Sequence, residues 1–98
     1  MARTARALPV ENAPSPWPEA ASDDTLTEIA RAFVLRLRTA IGDESIRAVA
    51  ARAGVSHVTV LKILSGRAWP DLATIARLEL ALDTDLYSSS NLRGTASG

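Results

Sequence analysis

Four basic side chains, Arg47, Arg52, Lys62 and Arg67, fall between Ser45 and Pro70, and no acidic residue stands among them. A run of fixed positive charge of this kind suits an anionic partner, which it attracts and neutralises at short range. Acids collect on either side: Glu11, Glu19, Asp23 and Asp24 before the run, Asp71, Glu79, Asp83 and Asp85 after it. The formal net charge is zero, so any such attraction is local. Arginines that merely point into solvent would satisfy the same pattern, and charge alone does not separate the two readings.

Other chemistries are poorly provided for. There is no cysteine, which removes disulfides and thiolate metal sites and makes a reducing compartment the natural expectation. One histidine cannot build a zinc site, and no carboxylate cluster with metal spacing compensates. No nucleophile–base pair, phosphate-binding loop or carboxylate dyad is visible, and the Ser56-His57 adjacency reads as the start of a helix. Neither catalysis nor a cofactor is expected. Arg3 and Arg6 are not followed by an apolar run before Pro9, so no secretory signal is expected. No stretch approaches the roughly 18 apolar residues of a membrane span. These points indicate a cytoplasmic protein. Arginine outnumbers lysine ten to one, a hint of a GC-rich bacterial or phage-encoded origin.

The 98 residues leave room for one domain. Residues 1–22 read as a disordered, Pro-rich tail, with Pro9, Pro14, Pro16 and Pro18 and no hydrophobic period. Trp17 is its one anomaly, able to pack onto the domain or onto a protein partner. From Thr25 the pattern turns helical. Thr25 with Glu28 makes a capping box, and Leu26, Ile29, Phe33, Leu37 and Ala40 or Ile41 form a stripe closed by Gly42. A second helix fits Ile46 to Ala53, capped by Ser45 and ended by Gly54. A third fits His57 to Leu64, capped by Ser56 and ended by Gly66. A fourth starts after its N-cap Asp71 and runs to about Leu82, with Leu72, Ile75, Leu78 and Leu82 as its buried stripe. A fifth turn or short helix comes after Asp85, with Leu86 folding back, and residues 88–98 read as a flexible tail. No alternating pattern or hairpin dipeptide supports a strand. The fold class is all-α, four to five helices within residues 23–87.

Only Gly54-Val55-Ser56 separates the second helix from the third. So tight a turn crosses the helices steeply and needs a residue that tolerates positive φ, which Gly54 supplies. Close approach also requires a small residue in the second helix, and Ala50 sits four positions before the glycine. Val49, Val55, Val60 and Ile63 are apolar where these helices and the first would share a core.

Taken together, Ser45-Ile46-Arg47-Ala48-Val49-Ala50-Ala51-Arg52-Ala53-Gly54-Val55-Ser56, then Val60, Ile63 and Ser65-Gly66-Arg67, resemble the helix-turn-helix of the lambda repressor and Cro (XRE-like) family. Asp71 to Leu78 with Leu82 are similar to that family's fourth helix, and Asp85-Leu86-Tyr87 to the segment after it. The resemblance covers about Thr25 to Tyr87. Ile46 departs from it, standing where the family often has a glutamine for a phosphate contact. Asp83 stands where the family commonly ends the helix with glycine, and Asp tolerates that backbone conformation at some cost.

The resemblance implies sequence-specific binding of double-stranded DNA, with the third helix in the major groove. It places His57, Val58, Thr59 and Lys62 at the usual base-reading positions. Lys62 suits guanine O6 and N7, Val58 a thymine methyl, and His57 a guanine or thymine acceptor. Leu61 points outward with these four, since Val60 and Ile63 face inward, but is expected to be partly buried filler and not a reader. Arg47, Arg67 and Arg52 would hold phosphates, helped by Ser45 and Ser56 and the amides at the two helix starts. Arg31, Arg36 and Arg38 are candidates for surface ion pairs. The implied role is that of a transcriptional repressor, homodimeric on two half-sites, the dimer surface lying at the end of the fourth helix or around Leu86 and Tyr87. The alternative is an antitoxin or adaptor that uses the same fold to bind a protein through the N-terminal tail.

Overall fold

The computed structural model describes residues 7–88, and its helices begin where local chemistry supplies a cap. Helix α1 spans Thr25–Ile41 and is capped by Asp24, whose Oδ2 accepts the Thr27 amide at 2.9 Å and the Thr27 hydroxyl at 2.7 Å. The N-cap is thus one residue earlier than the Thr25 expected from sequence. Glu28, freed from a capping box with Thr25, pairs with Arg31 and accepts the Ser22 amide. Helix α2 spans Ile46–Ala53 and α3 spans His57–Leu64, capped by the Ser45 and Ser56 hydroxyls that accept from Ala48 and Thr59. Helix α4 spans Leu72–Leu82 behind Asp71, whose carboxylate accepts the Thr74 amide and is held below the usual range by that bond. Among the described residues there is no strand.

One core joins the four helices. Phe33, Val34, Leu37 and Ile41 from α1 meet Val49, Ala50 and Ala53 from α2, Val60 and Ile63 from α3, and Leu78 from α4. Three residues of the expected stripes stand outside this core: Ile29 is half-buried, and Leu26 and Leu72 are exposed, while Thr27, Ala30 and Val34 join the buried face of α1. After α4, Asp83 takes the left-handed conformation (φ 52°, ψ 48°) expected of it and reverses the chain. Among the described residues no fifth helix comes after it. Leu86 is nevertheless buried, held because the Glu79 carboxylate accepts the amides of Leu86 (2.7 Å) and Tyr87 (3.0 Å).

The Pro-rich segment departs most from the expectation. Residues 7–22, expected within a disordered tail, are packed across the α3–α4 turn as a strap. It opens with a single 3-10 turn at Pro9–Asn12; Pro9, Pro18 and Ser22 are buried, and Trp17 lies against the core. Its polar groups are satisfied by the domain: Val10 N donates to Gly66 O (3.0 Å), Trp17 Nε1 to Leu64 O (3.0 Å), and Trp69 Nε1 to Ala7 O (2.8 Å). Composition misleads here because two aromatic rings far along the chain from their partners supply the buried area that the prolines lack. Residues 1–6 of the expected tail, and 89–98 of the C-terminal one, lie outside the described residues.

Gly66 is the point where the strap closes. Its φ is 75°, and a Cβ there would stand 2.8 Å from Trp17 Cε2 and 2.9 Å from Val10 Cβ. Gly66→Ala should therefore cost about 2 kcal/mol, a sum of backbone strain and overpacking. In a Trp17→Ala background the share of the clash owed to the indole disappears while that with Val10 Cβ remains, so urea titrations of the two single variants and the double variant should be non-additive. Full additivity would mean that the indole does not press on Gly66.

Folding lowers the Glu79 pKa below the ordinary carboxylate value of 4.5, chiefly through the Tyr87 amide and then that of Leu86. A carboxylate stabilised in this way adds stability at pH above 4.5 and loses it as the pH falls through the lowered folded value. Glu79→Gln should shallow the acid limb of stability against pH and speed hydrogen exchange at Leu86 and Tyr87. An unchanged acid limb would show that other carboxylates carry it.

Candidate nucleic-acid interface

The relation between α2 and α3 is fixed by a few residues at their junction. Gly54 adopts φ 74° and ψ 30°, the left-handed geometry that ends α2 while its own amide and that of Val55 return to the carbonyls of Ala50 and Ala51. Ala50 is 2% exposed, small enough to be enclosed where the helices meet. Val49, Val60 and Ile63 are fully buried, and Val55 is partly so. Because Val60 and Ile63 are three apart on a helix, they turn one face of α3 inward, and the opposite face must turn out.

That outer face is the candidate surface. Lys62 is exposed, Val58 and Leu61 are each 47% exposed, and His57 and Thr59 are half-buried. Leu61, expected to point outward as partly buried filler, is as open as Val58. Two methyl-bearing side chains and one ammonium therefore share a short helix with no acidic residue.

The remaining site candidates divide by their partners. Arg47 and Arg67 are exposed, and no ion pair among the described residues engages them or Lys62. Arg52 differs: its Nη1 lies 2.8 Å from Glu44 Oε1, and its Nε leans towards Ala81 O at 3.4 Å. A phosphate at Arg52 would have to compete with that carboxylate. Ser45 and Ser56 accept backbone bonds as caps, which leaves each hydroxyl proton able to donate. On α1, Arg31 pairs with Glu28 and Arg38 with Glu19, while Arg36 donates to Leu86 O. The balanced net charge thus conceals a division: arginines of α1 are matched by acids or carbonyls, and those flanking α3 are not.

Residues that sequence reasoning passed over hold this arrangement from behind. Trp17 Nε1 caps the carbonyl of Leu64, the last residue of α3, and Val10 N binds Gly66 O in the turn leading to Arg67. Only Trp17 itself gave a signal, as an aromatic out of place among prolines. With its indole spent against the core, it does not stand out as an anchor for a second protein.

No helix among the described residues is long and apolar enough to cross a membrane. A search of curated proteins returns no match. Residues 45–88 match the family described as Helix-turn-helix. That span opens at the Ser45 cap of α2 and closes beyond the buried Leu86, so it takes in the Gly54 turn, the outward face of α3 and the whole of α4. Over residues 45–88 the chain is accordingly similar to helix-turn-helix modules of the XRE or lambda repressor type, a family of DNA-binding regulatory domains.

Proposed function

We propose that the protein is a transcriptional repressor that binds a specific double-stranded DNA sequence with α3 in the major groove. The observation that carries this reading is the outer face of α3, which presents Lys62, Val58 and Leu61 between two unpaired arginines. A groove about 12 Å wide admits one helix, and its base edges carry a distinct code for each pair. Lys62 suits the O6 and N7 acceptors of guanine, and Val58 with Leu61 suits thymine methyls. His57 and Thr59, at the N-terminal end of α3, complete the reading set. Arg47 and Arg67, with Ser45, Ser56 and the amides at the starts of α2 and α3, would seat the flanking phosphates. Arg52 contributes only where a phosphate displaces Glu44.

One such domain covers about half of an operator. Tight recognition then calls for a homodimer on two half-sites about 34–36 Å apart. The protein would act in the cytoplasm, by occupancy of DNA and not by catalysis. The adaptor reading loses its main support, since it rested on a free Trp17 anchor.

Selection of bound genomic fragments, followed by gel shifts across a salt series, tests the proposal. Arg67→Ala should weaken all sequences alike and lower the salt slope by about one. His57→Ala should change which base is preferred at one position, and Lys62→Ala should cost about 1–3 kcal/mol against the best site. Deoxyuridine in place of a contacted thymine should weaken binding, because it removes only the methyl. Absence of any shift at low salt would overturn the reading; uniform losses for His57→Ala and Arg67→Ala would remove His57 from the readers.

A further inference from the structure

The outer face of α3 is defined as much by what it lacks as by what it holds. Between Ser45 and Pro70 there is no Asp, Glu, Asn or Gln. Those are the side chains that read a base through its amino group. Asn and Gln pair bidentately with adenine N6 and N7, and Asp and Glu accept from cytosine N4. Thr59 bonds to donors and acceptors alike, so it does not choose between them. What the face does hold is apolar volume beside a cation. Val58 and Leu61 are each 47% exposed and three positions apart, and Lys62 is exposed four positions after Val58. At those spacings the three share one side of the helix. The opposite side is committed, since Val60 and Ile63 are fully buried.

We infer that α3 recognises the C5-methyl group of a pyrimidine whichever base carries it, so that 5-methylcytosine replaces thymine and cytosine methylation strengthens binding. In the major groove a T·A pair offers the thymine methyl, O4, the adenine amino group and N7 in turn. A carboxamide or carboxylate would tie such a reader to its adenine or to cytosine N4, and this face has neither. In a pair of 5-methylcytosine with guanine the methyl keeps its place at the groove edge. The adenine amino group gives way to guanine O6, which with N7 sets two neighbouring acceptors before the Lys62 ammonium. That pair therefore matches both halves of the patch, whereas unmethylated C·G matches the cation alone. Three helical residues advance about 4.5 Å, and successive base pairs about 3.4 Å. Methyls on two successive pairs thus lie within the span of Val58 and Leu61. Each methyl taken out of water strengthens binding about fourfold, the value of one buried methylene. This deepens the DNA reading above and rests on it, and it names a chemical mark that regulates that binding.

Gel shifts on a site obtained by selection provide the test. Each thymine is replaced by deoxyuridine and each cytosine by 5-methylcytosine, one position at a time. At least one thymine should lose, or one cytosine gain, about fourfold in affinity. A sensitive T·A pair is then rebuilt as C·G and as 5-methylcytosine with guanine. The C·G duplex should bind about fourfold more weakly than the methylated one, which should equal or exceed T·A. N4-methylcytosine at the same place, its methyl on the amino nitrogen, should bring no gain. In the Val58→Ala, Leu61→Ala double variant the ratio of Kd values for unmethylated and methylated duplexes should fall to about one. Its urea midpoint should change little, both side chains being about half exposed. Structural damage alone would weaken both duplexes alike and leave that ratio standing. A selected site that shifts but is indifferent to C5-methyl groups at every position would overturn the inference and leave the DNA reading intact. A methylation ratio that survives the double variant would do the same. No shift on any duplex would sink the two together.

Discussion

The left-handed turn at Gly54 is the constraint on which the remainder depends. With φ at 74°, an L-residue there would be strained, and the Arg77 guanidinium crowds the space that a Cβ would need. The bend brings α3 back against α2 within three residues, and Ala50 lets the two meet closely. Once Val60 and Ile63 are committed to the core, the other face of α3 has no choice of direction. Its chemistry is thus set by a backbone conformation several residues away.

Electrostatics work on the surface that this bend creates. Of the three ion pairs, Glu19–Arg38 and Glu44–Arg52 are exposed, and such pairs contribute little to stability, while Glu28–Arg31 is partly buried. Their consequence is distribution. They match arginines on α1 and at the far end of α2, whereas among the described residues no ion pair engages Arg47, Lys62, Arg67 or Arg77. Exposed cations of that kind attract anions locally even where the net charge of the chain is zero.

The helix boundaries were legible because each is written in adjacent residues. Ser45, Ser56 and Asp71 cap the helices that begin just after them, and Gly54 and Asp83 end those just before them. The exception is instructive: Asp24 and Thr25 can both cap, and the carboxylate won because it accepts two bonds from Thr27. Periodicity places Phe33, Leu37, Val60, Ile63 and Leu78 in the core, where they lie, yet overruns at Leu26 and Leu72. A stripe carries no mark of where the neighbouring helix stops. Of the candidate site, the pattern turns Val58, Leu61 and Lys62 outward, but it does not show that Glu44 occupies Arg52. The strap was illegible for a different reason. Its defining bond, Trp17 to Leu64, spans 47 residues, and no local pattern encodes a contact that distant.

Both ends of the described chain are fastened to the helices by side chain–backbone bonds and not by regular structure. At one end Trp17 and Trp69 each donate to a carbonyl, and at the other Glu79 accepts two amides. A domain this small buries a modest share of its surface, so such clasps complete a core that four helices leave open. Their placement has a further effect. The strap grips the carbonyl of Leu64 and the turn at Gly66, which are the exit from α3, while the Glu79 clasp holds Leu86 against the core. Helix α3 is consequently anchored at its start by the Gly54 turn and at its end by residues that precede the helix-turn-helix in sequence. An outward face fixed at both ends loses little conformational freedom when it meets a rigid partner, and that is the condition under which a few side chains can discriminate between base pairs.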